Sequence, residues 1–175
     1  MLRLVQSLCC FGLLLFTACE PETFLPNDSV LVDDRETSTE VAPTESYANL
    51  LDLVNQLRAS GCRCGGQVMP PVGAVSWSGR LAEASKAHSQ DMQDNDFFNH
   101  TGSDGSNPGT RITRTGYRWR TYGENIAVGY SSAAAVFQGW KDSPGHCKNM
   151  MNEDFTEMGA ARVGTFWTQD FATAF

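Results

Sequence analysis

Apolar residues recur with a helical period at the start of the folded region, where Tyr47, Leu50, Leu51, Val54 and Leu57 fall on one face. The spacing predicts an amphipathic helix, with Thr44 or Ser46 available as its N-cap and Gly61 just past its end. A Gly/Pro/Cys loop follows from Gly61 to Gly73, then a short apolar piece around Val75 to Trp77. Ser78 is placed to cap a second helix whose inward stripe is Leu81, Ala84, His88 and Met92. Thr101 to Gly109 is a polar loop of turn-forming residues, and a short helical turn is expected over Arg111 to Thr115, ended by Gly116. Glu124 to Tyr130 predicts a buried strand. Ser131 or Ser132 then caps a helix whose inner face is Val136, Phe137 and Trp140. Ser143-Pro144 sets an N-cap and a proline at the first position of a further short helix through about Met150, which puts His146 in its first turn. Thr156 to Val163 and Thr165 to Ala172 alternate in polarity around Gly164, the pattern of an antiparallel hairpin. Helices early and strands late predict an α+β class with layered packing.

The first residues carry a different signal. Arg3 precedes the apolar run Leu4 to Phe16 and the small residues Thr17 and Ala18, which is the pattern of a secretory signal over residues 1–18. A dozen or so apolar residues fall short of the roughly 20 needed to span a bilayer. Phe16-Thr17-Ala18-Cys19 resembles a bacterial lipobox, with Phe16 in place of the usual Leu, so Cys19 is the expected lipidation site and the membrane an expected partner through that anchor. Residues 19–45 are rich in Asp, Glu, Ser, Thr and Pro, with Arg35 the single basic residue, and read as an acidic, disordered linker that precedes one domain over residues 46–175.

Charge narrows the partners. The formal net charge of −7 becomes −8 once Arg3 leaves, and no Lys/Arg cluster is present to neutralise phosphates, which argues against nucleic acid. Cys9 and Cys10 leave with the signal and Cys19 carries the lipid. Cys62, Cys64 and Cys147 remain, enough in an oxidising compartment for one disulfide and one leftover thiol. A Cys-x-Cys with a distant third Cys is also a conceivable metal site once another ligand completes it.

Five segments occur in order: Leu81-Ala82-Glu83-Ala84-Ser85-Lys86-Ala87-His88-Ser89-Gln90-Asp91-Met92, Phe97-Phe98-Asn99-His100, Gly123-Glu124-Asn125-Ile126-Ala127, Trp140-Lys141-Asp142-Ser143-Pro144-Gly145-His146, and Phe166-Trp167-Thr168-Gln169. Together they resemble the CAP superfamily (cysteine-rich secretory protein, antigen 5, pathogenesis-related-1; SCP domain) in its bacterial form, over roughly Tyr47 to Phe171. The resemblance implies a three-layer α/β/α sandwich with a central, mainly antiparallel sheet. It also implies a cavity lined by two His and two acidic residues that in some members hold zinc or another divalent cation. His100, Glu124 and His146 match three of the four positions. Ser143 and Phe166 stand where eukaryotic members carry the second Glu and a His, a departure from the full tetrad. The cysteine pattern of bacterial relatives implies a Cys64–Cys147 disulfide, which leaves Cys62 free or as an alternative partner.

Two imidazoles and a carboxylate suit a borderline cation such as Zn²⁺ with an open position for water; the bland alternative is a hydrogen-bonded structural trio. His88, on an apolar stripe, reads as a core histidine, and Trp140 and Trp167 as packing. Asn125 is expected at the cavity periphery, orienting a loop or Glu124. Ser143 is expected there too, its hydroxyl engaged as an N-cap, and no Gly-x-Ser-x-Gly elbow occurs. These features point to an extracytoplasmic binding module for a divalent ion, a small apolar ligand or a cell-envelope partner, held at an outer membrane or cell surface. Alternatives are a metal-dependent hydrolase with Glu124 as general base, or an envelope interaction protein with a vestigial cavity.

Overall fold

The structure is a computed structural model, and residues 43–175 are described. The expected signal peptide, the lipidation site Cys19 and nearly all of the acidic linker lie outside the described residues. Among the described residues, no helix is long and apolar enough to cross a membrane.

Among the described residues eleven elements follow one another: α1 (Glu45–Ser60), β1 (Cys62–Cys64), β2 (Gln67–Met69), β3 (Ser76–Trp77), α2 (Gly79–Asp94), α3 (Pro108–Arg114), β4 (Trp119–Val128), α4 (Ala133–Asp142), α5 (Pro144–Met150), β5 (Glu157–Val163) and β6 (Phe166–Ala174). The main sheet has the order β3-β5-β6-β4; β3 runs parallel to β5 and the other pairs are antiparallel. The α+β class and the mainly antiparallel central sheet are as the residues and the resemblance predict.

Helix α1 forms where the apolar period predicts, burying Leu50, Val54 and Leu57. These pack with Val136, Phe137 and Trp140 of α4 and with Met150 at the end of α5 in the larger core. On the opposite face Leu81 and Ala84 of α2 meet Ile112, Tyr117 and Ala172 in a smaller one. The sheet thus lies between two helical layers. Helix α2 rests so closely on β5 that a Cβ at Gly159 would collide with the backbone of Leu81 and Ala82, so glycine is required by the approach of the two elements. The β5–β6 hairpin turns at Gly164, whose φ of +55° is left-handed.

Three details differ from expectation. β4 begins at Trp119, five residues earlier than the apolar run, because its first half pairs with the C-terminal half of β6. The segment read as a loop contains a hairpin, β1–β2, turning at Gly65-Gly66 with Gly65 at φ +61° against the ring of Pro144. Ser143 occupies the N-cap position of α5 but its side chain makes no capping hydrogen bond, so the expectation of an engaged hydroxyl is corrected. Proline at N1 already removes one of the orphan N–H donors that a cap would satisfy.

Candidate functional site

Four segments converge on one cleft of about 720 Å³. The end of β2 and the chain beyond it supply Met69, Pro70 and Val72 on one wall, and Ser143 at the N-cap of α5 with His146 and Asn149 along that helix form the other. His100, from the loop after α2, and Glu124, from the middle of β4, lie at its base. The three residues singled out from the motifs are therefore brought together.

Glu124 is the anchor of the group. Its side chain is 1% exposed, and both carboxylate oxygens are already engaged. Arg111 Nη2 donates to Oε2 at 2.6 Å, and His100 Nδ1 lies 2.7 Å from Oε1. A carboxylate acceptor fixes a proton on Nδ1 and leaves Nε2 as the ring nitrogen turned away from it. That Nε2 makes no hydrogen bond to the described residues, and the His100 side chain is about half exposed. Arg111 is itself buried and also donates to the carbonyls of Ser106 and His100, at 2.9 and 3.0 Å. It therefore pins the polar loop on which His100 sits as well as the carboxylate that orients the ring.

His146 projects from the first turn of α5 into the same cleft, and its ring makes no hydrogen bond to the described residues. Burial, and then the charge of His100, hold its pKa below the ordinary imidazole value, so the neutral form prevails at neutral pH. Asn125 fixes the turn behind it. Its amide donates to Gln169 Oε1 at 3.0 Å and to the His146 carbonyl at 3.4 Å, while Asn149 Nδ2 donates to its Oδ1 at 3.0 Å.

His88 lies fully buried on the inner stripe of α2, its Nε2 2.9 Å from the carbonyl of Asn99. The same nitrogen stands 3.9 Å from Glu124 Oε1, so this core histidine backs the carboxylate from within. Trp140 and Trp167 are buried, donating to the carbonyls of Ile126 and Tyr130, and act in packing.

Two participants were not singled out from the sequence. Arg111 reads as an ordinary basic residue of a short helix. Asp170 lies directly opposite Glu124 in the β4–β6 register, one residue beyond the Phe-Trp-Thr-Gln motif. It is buried and accepts from Ser85 Oγ at 2.8 Å. Burial first, then the negative charge of Glu124, push its pKa well above the ordinary carboxylate value, so the pair need not hold two charges. A charged residue in an alternating strand would have been the signal, but the face it points to depends on the register.

A divalent cation of the kind the resemblance implies would have two donors open to it in this cleft, Nε2 of His100 and the imidazole of His146. Glu124 serves behind His100 as the orienting carboxylate, since both of its oxygens are committed. Ligand histidines are ordinarily held in this way by a carboxylate on the other ring nitrogen.

The second feature is a cluster of sulfurs. Cys64 and Cys147 form a disulfide with Cα atoms 5.4 Å apart, as the bacterial pattern implies, and Cys62 is the free cysteine among the described residues. The bridge ties the β1–β2 hairpin to α5 and so joins the two walls of the cleft. The Sγ atoms of all three lie within 4.8 Å of one another, an arrangement able to hold a metal.

Comparison with known proteins places these features. The chain is 38% identical over 93 residues to the uncharacterized protein YkwD of Bacillus subtilis (strain 168), a match covering 52% of this chain and 36% of that protein. It spans about a third of the length of the curated relatives it matches. A crystal structure of an extracellular protein containing a SCP domain from Bacillus anthracis (strain Ames) superposes with a TM-score of 0.64 at 33% identity, covering 71% of this chain and 39% of that one. An outer surface protein of Borrelia burgdorferi shares the fold, with a TM-score of 0.65 at 19% identity, over 78% of this chain and 98% of its own. The family model for the cysteine-rich secretory protein family, the CAP domain, matches residues 51–171, which include every residue of the cleft, and the chain belongs to that family.

Proposed function

We propose that this chain is an extracytoplasmic, lipid-anchored binding module whose cleft takes a divalent cation on His100 and His146 and presents it to a small ligand or a cell-envelope partner. The observation that carries the reading is the division of labour around Glu124. Two imidazoles face an open cleft with unpaired nitrogens, while the carboxylate behind them is buried and held by Arg111 and His100. A general base must reach a water in the cleft, and a carboxylate with both oxygens engaged is poorly suited to that task, which favours binding over hydrolysis. A cation held there would polarise a carbonyl, carboxylate or water placed at its open positions.

Zinc titration by calorimetry on the full-length chain tests this. Stoichiometric binding is expected for the wild type, and His100→Ala/His146→Ala, which removes both protein ligands, should abolish it. Because His146 is held below the ordinary value of 6.5, affinity should persist through neutral pH and fall as acid protonates His146 below that value. No binding near pH 7 would overturn the cation reading. Cleavage of envelope substrates that disappears in the double variant, with folding intact, would favour the hydrolase instead.

The anchor is supported by the lipobox-like Phe16-Thr17-Ala18-Cys19 and by likeness to an extracellular bacterial protein. Cys19→Ser is expected to move the protein from the membrane pellet to the soluble fraction, since two acyl chains are what hold a lipoprotein durably on a bilayer. An unchanged distribution on fractionation would count against lipidation.

A further inference from the structure

We infer that Cys62, Cys64 and Cys147 form a second, sulfur-only site that takes a thiophilic cation when the Cys64–Cys147 bridge is reduced. Cys62 and Cys64 are two apart on β1, so their side chains leave the same face of the strand, here toward α5 and Cys147. Cys62 Sγ stands 3.7 Å from Cys64 Sγ and 3.7 Å from Cys147 Sγ. In a tetrahedral thiolate site with metal–sulfur bonds of about 2.3 Å, neighbouring sulfurs are about 3.8 Å apart. The third thiol therefore already occupies the corner of such a face. Parting the two bridged sulfurs to the same spacing completes the triangle.

The surroundings suit a metal. Cys64 and Cys147 are almost fully buried, which shields two ligands, while Cys62 is partly exposed and leaves an approach. Three thiolates around a divalent ion carry one net negative charge, and the Lys141 ammonium, which acts electrostatically on Cys62, offsets it. Soft ligands of this type select Zn²⁺ or Cu(I) over hard cations. The chemistry balances with a dithiol reductant. The reductant is oxidised to its own disulfide as the Cys64–Cys147 bond takes up two electrons and two protons. Cation binding then breaks three S–H bonds, forms three metal–sulfur bonds and releases three protons. The metal would tie β1 to α5 as the disulfide does, so the cleft keeps its walls joined in either redox state.

Cobalt reports the site directly. The full-length chain, reduced anaerobically with a phosphine and monitored by circular dichroism, is titrated with Co²⁺. One equivalent should give a thiolate-to-cobalt charge-transfer band in the near ultraviolet with intense visible ligand-field bands, and Zn²⁺ should displace it. Cys62→Ser keeps the Cys64–Cys147 bridge and so folds when oxidised. After reduction it should bind cobalt about a hundredfold or more weakly, the share of one thiolate in such a site. His100→Ala/His146→Ala should leave the charge-transfer band intact, which separates this site from the cleft. Absence of the band in the reduced wild type, or an equal band in Cys62→Ser, would overturn the inference. If the reduced chain loses structure, cobalt should restore it, and failure to do so would overturn the inference equally.

Discussion

Arg111→Met is expected to destabilise the protein by about 3–5 kcal/mol, the usual consequence of stranding one member of a buried ion pair. Glu124 would remain buried with His100 as its remaining close partner, and the carbonyls of Ser106 and His100 would each lose a charged donor. The denaturation midpoint should fall while the slope with denaturant stays constant. Arg111→Met/Glu124→Gln should recover part of the loss, because the second change removes the stranded charge and leaves an amide that still presents an oxygen to His100. If the two changes simply add, the pair does not act as a unit. Zinc affinity supplies the functional readout. Arg111 holds both the loop of His100 and the carboxylate that orients its ring, so binding should weaken even under conditions where the variant is fully folded.

Arg58→Ala should cost about 4 kcal/mol. Arg58 is fully buried near the end of α1 and donates four hydrogen bonds. They run from Nε to Gly73 O at 2.6 Å, from Nη1 to Met150 O and Asn152 O at 2.8 and 2.9 Å, and from Nη2 to Phe155 O at 3.1 Å. Among the described residues no carboxylate pairs with it, so carbonyl dipoles alone balance its charge. Removing the guanidinium takes its donor from the buried carbonyls of Met150 and Phe155, at about 1–3 kcal/mol each before water enters, and from the less buried ones of Gly73 and Asn152. Arg58→Lys should recover only part of the stability, since one ammonium cannot reproduce a planar fork that reaches four acceptors. Full recovery by lysine would show that charge, rather than the fork, is what the site requires. Thermal or denaturant unfolding distinguishes the outcomes. Against a total of about 5–15 kcal/mol for a domain, the alanine variant should be partly unfolded in a warm assay.

Both arginines show where reading along the chain stops. The apolar stripe of α1 is visible because a 3.6-residue period is a local property, and Leu50, Val54 and Leu57 are buried as it predicts. Arg58, the next residue on that helix, looks like a basic C-terminal residue favoured by the helix dipole. Its burial follows from carbonyls up to 97 residues away. Arg111 and Asp170 were missed for the same reason, since a charged residue becomes interior only through partners that the fold delivers. The hairpin β1–β2 escaped because strands of three residues are too short to show alternation.

By itself, the sequence determined the order and type of the main elements, the family resemblance, and the three cleft residues His100, Glu124 and His146, because these are carried by local periodicity, caps and short motifs. The tertiary structure alone decided what those residues do. Glu124 is paired on both oxygens because the loop after α2 and the packing of α3 bring His100 and Arg111 to it, while the antiparallel register sets Asp170 opposite. His146 shares the cleft with His100 because Asn125 and the Cys64–Cys147 bridge hold α5 against the sheet and the hairpin. Cys62 stands equidistant from both bridged sulfurs because β1 turns its alternate side chains toward α5. Protonation and coordination depend on distances of a few ångströms between residues far apart in the chain, and only packing sets those distances.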